Sequence, residues 1–122
     1  MKHALWAVIL LAGLSLPTGA TEQRCGWLAN PTPQDLWLID KDATWSITSQ
    51  GEAAGKDAIG ADRVPDFDDK QYVDQGNGHG YGCACLSVET SRKDQRIIKV
   101  ISGKILSLAT CKNDKTLRDP KG

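Results

Sequence analysis

The stretch that decides the fold is GNGHGYGCACLSV, residues 76–88. Glycine alternates with other residues over its first half, and Ala84, Leu86 and Val88 continue the same alternation. Alternate residues of an extended strand share one face. The pattern therefore predicts a strand that begins with a bare face, on which another element lies close to the backbone. We expect an aromatic cover for this face from one of three tryptophans, Trp27, Trp37 or Trp45.

The other face of this strand would carry Asn77, His79 and Tyr81. Together with Trp27 they form the predicted binding surface, because aromatic side chains commonly anchor interfaces. Glycine-rich backbone also cradles phosphates, but this segment matches neither phosphate-binding fingerprint and contains no basic residue. We favour a packed strand that leads into a disulfide.

Four cysteines follow residue 20: Cys25, Cys83, Cys85 and Cys111. An even number in a small exported domain predicts two disulfides. If Cys83 and Cys85 share one strand, their Cα atoms lie roughly 6.8 Å apart, at the edge of disulfide geometry. Each is then expected to bond to one of the outer cysteines, which leaves two pairings open. Zinc is the alternative, although Cys-x-Cys with two distant cysteines differs from the paired Cys-x-x-Cys of structural zinc sites.

Alternating apolar residues predict several strands and little helix. A hairpin is expected over residues 37–48. A three-stranded meander is expected over residues 84–108, with Ser102-Gly103-Lys104 as its second turn. Helix is predicted only as one turn at residues 32–35 and a short segment at 66–74. The predicted fold is a small, mainly antiparallel β domain, curled or barrel-like, with two disulfides.

The N-terminus has the features of a cleavable signal peptide over residues 1–20. Lys2 precedes an apolar run at residues 4–16, which is too short for a bilayer that needs roughly 20 residues. Cys25 lies five residues beyond the expected cleavage site, so a lipoprotein anchor is not predicted. We therefore expect a single periplasmic domain at residues 21–122, not inserted in the membrane, with a polar and frayed C-terminal tail.

The charges are balanced, with 15 basic and 15 acidic side chains. Nucleic-acid binding needs a surplus of lysine and arginine. Electrostatic attachment to a membrane surface needs the same surplus. Neither class of partner is expected.

His79 is the one histidine in residues 21–122, and it could serve a small hydrolase as a general base. No Gly-x-Ser-x-Gly elbow accompanies it. The carboxylates of Asp66, Asp68 and Asp69 lack the spacing of an EF-hand. We predict no cofactor, no metal and no catalytic residue.

Three segments together resemble a bacterial family known as domain of unknown function 4087. They are RCGWL with NPTP (residues 24–28 and 30–33), WL through WSI (37–47) and YGCACL (81–86). The resemblance implies a small exported protein of Gram-negative bacteria and brings no activity, ligand or catalytic residue with it.

These features favour a non-catalytic binding module, such as an inhibitor or immunity-type protein for an envelope-acting enzyme. Its partner would be an envelope or secreted protein. The alternatives are a small hydrolase that uses His79 and a cysteine-based metal-binding protein.

Overall fold

The structure is a computed structural model that describes residues 20–51 and 56–121. The predicted signal peptide therefore lies outside the described residues, apart from Ala20. Single turns of 3-10 helix lie at Ala61–Arg63 and at Asp69–Gln71. The strands are β1 Glu22–Thr32, β2 Asp35–Ile39, β3 Thr44–Thr48, β4 Tyr72–Gly76, β5 His79–Ser91 and β6 Arg96–Leu106, followed by the helix α1 Leu108–Lys112.

Five of the strands close into a small Greek-key barrel. β1, β2 and β3 form an antiparallel meander, and β5 returns to pair with the other side of β1. The spatial order β5-β1-β2-β3 is that of a Greek key. β6 pairs with β5 and meets β3 in parallel at Arg96 and Ser46, which completes the ring, while β4 extends the sheet beside β5. The predicted fold class is confirmed.

OB folds share this architecture, a partly open Greek-key barrel of five strands. The comparison extends to architecture alone, because one fold carries many unrelated functions.

The β2–β3 hairpin lies where the alternation predicted it. β2 and β3 are joined by residues 40–43, and Asp40 Oδ1 accepts hydrogen bonds from the backbone N–H groups of Asp42 and Ala43 at 2.9 and 3.0 Å. The helical turn predicted at residues 32–35 is wrong. This segment is the tight turn between β1 and β2, in which Thr32 Oγ1 accepts a hydrogen bond from the Asp35 N–H at 3.2 Å.

The turn predicted at residues 102–104 is also wrong, because β6 runs straight through it and Gly103 pairs with Leu86 of β5. A Cβ atom on Gly103 would lie 2.5 Å from Leu86 Cδ2 and 2.9 Å from Pro65 Cδ. Glycine is needed there because neighbouring chains approach closely, and not because the chain turns. As one strand, β6 ends with Leu106 opposite Cys83, which brings Cys111 back to that cysteine.

The predicted helix over residues 66–74 is replaced by a 3-10 turn followed by β4. Asp68 caps the turn, since its Oδ1 accepts hydrogen bonds from the N–H groups of Lys70 and Gln71 at 2.9 and 3.1 Å. The segment then becomes extended and pairs with the start of β5.

Two apolar cores lie on opposite faces of the sheet. The inner core fills the barrel and includes Leu28, Trp45 and Leu86. The outer core packs against the outside of the barrel and contains Trp27, Ala29, Ile39, Tyr81, Cys83 and Cys111. β1 serves both cores, because the alternation of its side chains directs Leu28 inward and its neighbours outward.

Parts of the chain after β6 pack on the barrel. Leu108 of α1 and Leu117 are partly buried against the outer core. Arg118 Nη2 also donates a hydrogen bond to Thr44 Oγ1 at 3.0 Å. The polar composition of the tail gave no indication that Leu117 packs against the outer core.

Candidate functional site

The glycine-rich segment builds one wall of the candidate site. Gly76, Asn77 and Gly78 form the turn from β4 to β5, with φ angles of 89°, 56° and 79°. Beyond the turn, a Cβ atom on Gly80 would lie 2.6 Å from Tyr72 Cζ, and one on Gly82 would lie 2.6 Å from Phe67 Cζ. The bare face is therefore covered by aromatic rings, as predicted. The rings are those of Phe67 and Tyr72, so the expectation of a tryptophan was wrong.

These two rings line an open cleft at one end of the barrel, with a volume of about 620 Å³. Their centroids are 5.5 Å apart and their planes are tilted by 34°. Leu28, Leu36 and Val64 also line the cleft, and all three belong to the inner core or pack against it. The floor of the cleft is thus the end of the barrel core. Its volume lies in the range of small-ligand sites, about 300–1,000 Å³.

The polar side chains that line this cleft are Asn30, Thr48, Asp62 and Asp66. Asn30 Nδ2 donates to two carbonyl groups of the β1–β2 turn, and Thr48 Oγ1 donates to the carbonyl of Gln34 at 2.9 Å. Their acceptor oxygens are left for a ligand. Asp62 and Asp66 form no hydrogen bond or ion pair with any part of the chain that the structure describes. The cleft is therefore apolar at its floor, and its polar groups offer mainly hydrogen-bond acceptors and negative charge.

The residues of the predicted binding surface do not share one surface. Trp27 and Tyr81 are buried in the outer core, where their rings meet edge to face with centroids 5.1 Å apart. Asn77 is exposed in the β4–β5 turn, and His79 is half-buried at the start of β5. A Cβ atom on Gly78 would lie 3.4 Å from Pro33 Cγ, so this turn lies beside the cleft.

Sequence reasoning missed the cleft itself. Its lining comes from β1, β2 and the turn between them, from β3, from the loop at residues 61–67 and from β4, which only barrel closure brings together. One signal was present, because the alternating glycines predicted an aromatic neighbour. The partner rings lie in a segment that was interpreted as a helix, so the aromatic pair was not connected with the glycines.

The four cysteines form two disulfides, Cys25–Cys85 and Cys83–Cys111. Cys25 and Cys85 are directly opposite each other in the β1–β5 pairing, whereas the second bond joins β5 to α1. The prediction of two disulfides is confirmed, and the pairing that the sequence left open is settled. None of these sulfurs is a thiolate available to a metal or a substrate.

The side chain of His79 takes part in none of the hydrogen bonds within residues 20–51 and 56–121. Within the same ranges, no group of three or more His, Cys, Asp or Glu side chains is placed to hold a metal ion.

An ion-pair network around Arg24 lies at the other end of the barrel, six residues or roughly 20 Å along β1 from Asn30. Arg24 Nη1 donates to Asp40 Oδ2 at 2.8 Å and to Asp42 Oδ2 at 3.0 Å, while its Nε donates to Glu22 at 3.0 Å. The guanidinium lies 4.2 Å from the ring centroid of Trp45, a cation–π contact.

The network keeps its carboxylates ionised. Burial raises the pKa of Asp40, but hydrogen bonds from Arg24, Trp45 and the backbone outweigh it and bring the pKa below its usual value. A hydrogen bond from Thr90 and the proximity of Arg24 lower the pKa of Glu22, and hydrogen bonds from Arg24 and Lys41 lower that of Asp42. All three carboxylates are therefore ionised near neutral pH, as their ion pairs with Arg24 require.

Two disulfides in so small a domain indicate an oxidising, exported environment. None of the helices in the described part of the chain is long and apolar enough to cross a membrane.

Comparison with curated proteins and with solved structures gave no significant match. One family model does match, over residues 19–118, and it covers all six strands, both disulfides and the cleft. The chain therefore belongs to the family described as "Protein of unknown function (DUF4087)".

Proposed function

We propose that this protein is a non-catalytic binding module of the periplasm, which recognises an envelope or secreted protein through the cleft at the end of its barrel. An inhibitor or immunity-type role, in which the module blocks an envelope-acting enzyme, fits this description. The proposal includes export by a signal peptide at residues 1–20, cleaved without lipidation.

The size and the apolar floor of the cleft are the main support for a binding role. A volume of about 620 Å³ with an apolar floor is large enough to receive one or two side chains of a partner. Interfaces gain most of their affinity from a few such anchoring side chains in desolvated pockets.

The rigidity of the walls supports binding more than chemistry. Gly80 and Gly82 fix the positions of the two rings, and both disulfides tie β5 to other elements. A site held in its binding-competent shape loses little conformational entropy on association. The two alternatives receive less support, since His79 has no hydrogen-bonded partner among the described residues and the cysteines are oxidised.

In-cell photo-crosslinking tests the proposal. A photoreactive phenylalanine analogue would replace Val64 in the cleft, and the matched control would carry it at Lys93, an exposed residue of the β5–β6 turn. We expect a discrete adduct with an envelope protein from position 64 alone. The purified partner should then bind the wild-type domain in calorimetry, and its affinity should fall at least tenfold when Leu36→Arg fills the cleft with a charged side chain.

Two results would count against a cleft-mediated role. One is the same adduct from both positions. The other is an unchanged affinity of the purified partner for a Leu36→Arg domain whose circular dichroism shows that it is folded.

A further inference from the structure

The charge of the cleft indicates what kind of side chain it receives. We propose that it binds an arginine or lysine side chain of the partner protein, with the aliphatic stem on the aromatic rings and the cationic head at Asp62 and Asp66. This inference rests on the proposed function and specifies the chemistry of its partner.

Asp62 and Asp66 place two carboxylates at the cleft. Both line the cleft, both are exposed, and neither has a partner among the described residues. No lysine or arginine lines the cleft to neutralise them. A cationic group that entered the cleft would therefore meet two carboxylates whose acceptor capacity is unused.

The segment around the two carboxylates is also negatively charged. Residues 57–74 contribute both carboxylates and both rings, and they contain six aspartates against Arg63 and Lys70. Arg63 Nη1 donates to the carbonyl oxygen of Val100 at 3.2 Å, so this cation is already engaged. The local field attracts a basic partner and disfavours an acidic one, which gives specificity and a faster encounter.

The apolar floor of the cleft favours a long cationic side chain over a bare cation. Phe67 and Tyr72 present an aromatic surface beside the carboxylates, and the partly buried Leu36 and Val64 add aliphatic surface. Arginine and lysine combine an apolar stem with a charged head, so each part meets a surface that suits it. A guanidinium or ammonium group over an aromatic face adds a favourable cation–π contact.

The side-chain oxygens of Asn30 and Thr48 are further hydrogen-bond acceptors for a cationic side chain in the cleft. Their donor groups are bound to the backbone, so what they offer a ligand is oxygen. A guanidinium has five N–H donors and no acceptor, and it therefore suits a cleft whose free polar groups, apart from the Tyr72 hydroxyl, are acceptors.

The test uses two capped dipeptides of nearly the same shape that differ at the head group, N-acetyl-Phe-Arg-amide with a cationic guanidinium and N-acetyl-Phe-citrulline-amide with a neutral ureido group. Each is titrated into the ¹⁵N-labelled disulfide-bonded domain, residues 21–122, and followed by NMR. We expect the amide signals of cleft residues such as Leu28 and Leu36 to shift with the arginine peptide. Its affinity should exceed that of the citrulline peptide by about fivefold to tenfold at low salt, and the difference should shrink as ionic strength rises.

The paired variant Asp62→Asn/Asp66→Asn should abolish the preference for arginine. Both positions are exposed and free of internal hydrogen bonds, so the fold should be retained. Asp94→Asn, in the β5–β6 turn outside the cleft, is the matched control and should keep the preference.

Equal affinity of the wild-type domain for the two peptides would overturn the inference, and so would an arginine preference that survives in the paired variant. If the cleft position still crosslinks to a partner whose binding Leu36→Arg weakens, the proposed function stands and only the choice of ligand fails. If neither peptide binds and no cleft-specific adduct forms, both fail.

Discussion

Arg24 Nη1 lies 2.8 Å from Asp40 Oδ2, and the two side chains are only 7% and 4% exposed. The pair closes the end of the barrel that is remote from the cleft. Asp40 also accepts hydrogen bonds from Trp45 Nε1 at 3.0 Å and from the β2–β3 turn. One carboxylate thus links β1, the β2–β3 hairpin and the inner core.

Asp40→Asn should destabilise the domain strongly. It removes the only buried one of the three carboxylates that surround the Arg24 guanidinium, and breaking a buried pair typically costs up to about 3–5 kcal/mol. The free energy of unfolding in urea, followed by tryptophan fluorescence, measures the loss. Asp42→Asn is the control, because Asp42 bonds to the same guanidinium but is largely solvent-exposed, and its effect should be much smaller. Equal losses of unfolding free energy in the two variants would show that the burial of Asp40 makes no difference to stability.

Stability should fall in acid. Asp40, Glu22 and Asp42 have lowered pKa values in the folded protein, so the unfolded chain binds protons more readily as pH falls. Their contribution to stability is present above their usual pKa, near 4, and is lost as pH falls through the lower folded values. We expect a nearly constant free energy of unfolding from pH 7 to about 5 and a decline below about pH 4. The decline should be shallower in Asp40→Asn, and a steeper one would contradict the assignment.

Gly103→Ala should destabilise the barrel by about 1–3 kcal/mol, the usual range for overpacking. The new methyl group would press on Leu86 and Pro65, at hypothetical Cβ distances of 2.5 and 2.9 Å. Ser102→Ala tests the neighbouring, exposed position of the same strand and should leave the thermal midpoint nearly unchanged. If residues 102–104 formed a turn, the two variants would not differ in this way.

Removing the second disulfide should loosen the C-terminal tail. Cys83→Ala/Cys111→Ala releases a constraint across 28 residues, worth about 3.5 kcal/mol in the chain-entropy model. Because α1 loses its covalent attachment to β5, trypsin should cut after Lys112 and Lys115 faster than in the wild type. Cys25→Ala/Cys85→Ala should cost slightly more stability, about 4 kcal/mol for 60 residues, without selective cleavage of the tail. Equal tail cleavage in both variants would rule out this division of roles.

Local patterns predicted the fold well where alternation coincided with burial on one face. Leu38, Trp45 and Ile47 are buried in β2 and β3, and the hairpin between these strands was predicted correctly. The role of a glycine could not be predicted from the sequence, because glycine occurs both in turns and where neighbouring chains pack closely. It marks a true turn at Gly78 and a crowded straight strand at Gly103, and only tertiary neighbours distinguish the two.

The candidate site was less accessible to sequence reasoning than the fold. Aspartates that follow a proline are usually solvated turn residues, and nothing in the chain marks Asp66 as the neighbour of Leu28 or Leu36. Trp27 and Tyr81 looked like anchors for a partner, since aromatic residues favour interfaces. A short helix and one leucine in a polar tail cover them, and this packing has no periodic signature.

The pairing of β1 with β5 has a consequence for how the chain matures. The first strand has one neighbour at once, β2, but its other neighbour is centred some 60 residues later, at Cys85. While the chain emerges from its N-terminus, the edge of β1 stays open, and open edges invite pairing with other chains. The thiol of Cys25 likewise has no native partner until residue 85 has arrived. The edge of β1 and the thiol of Cys25 therefore gain their native partners only when β5 is present, whatever the stability of the finished barrel.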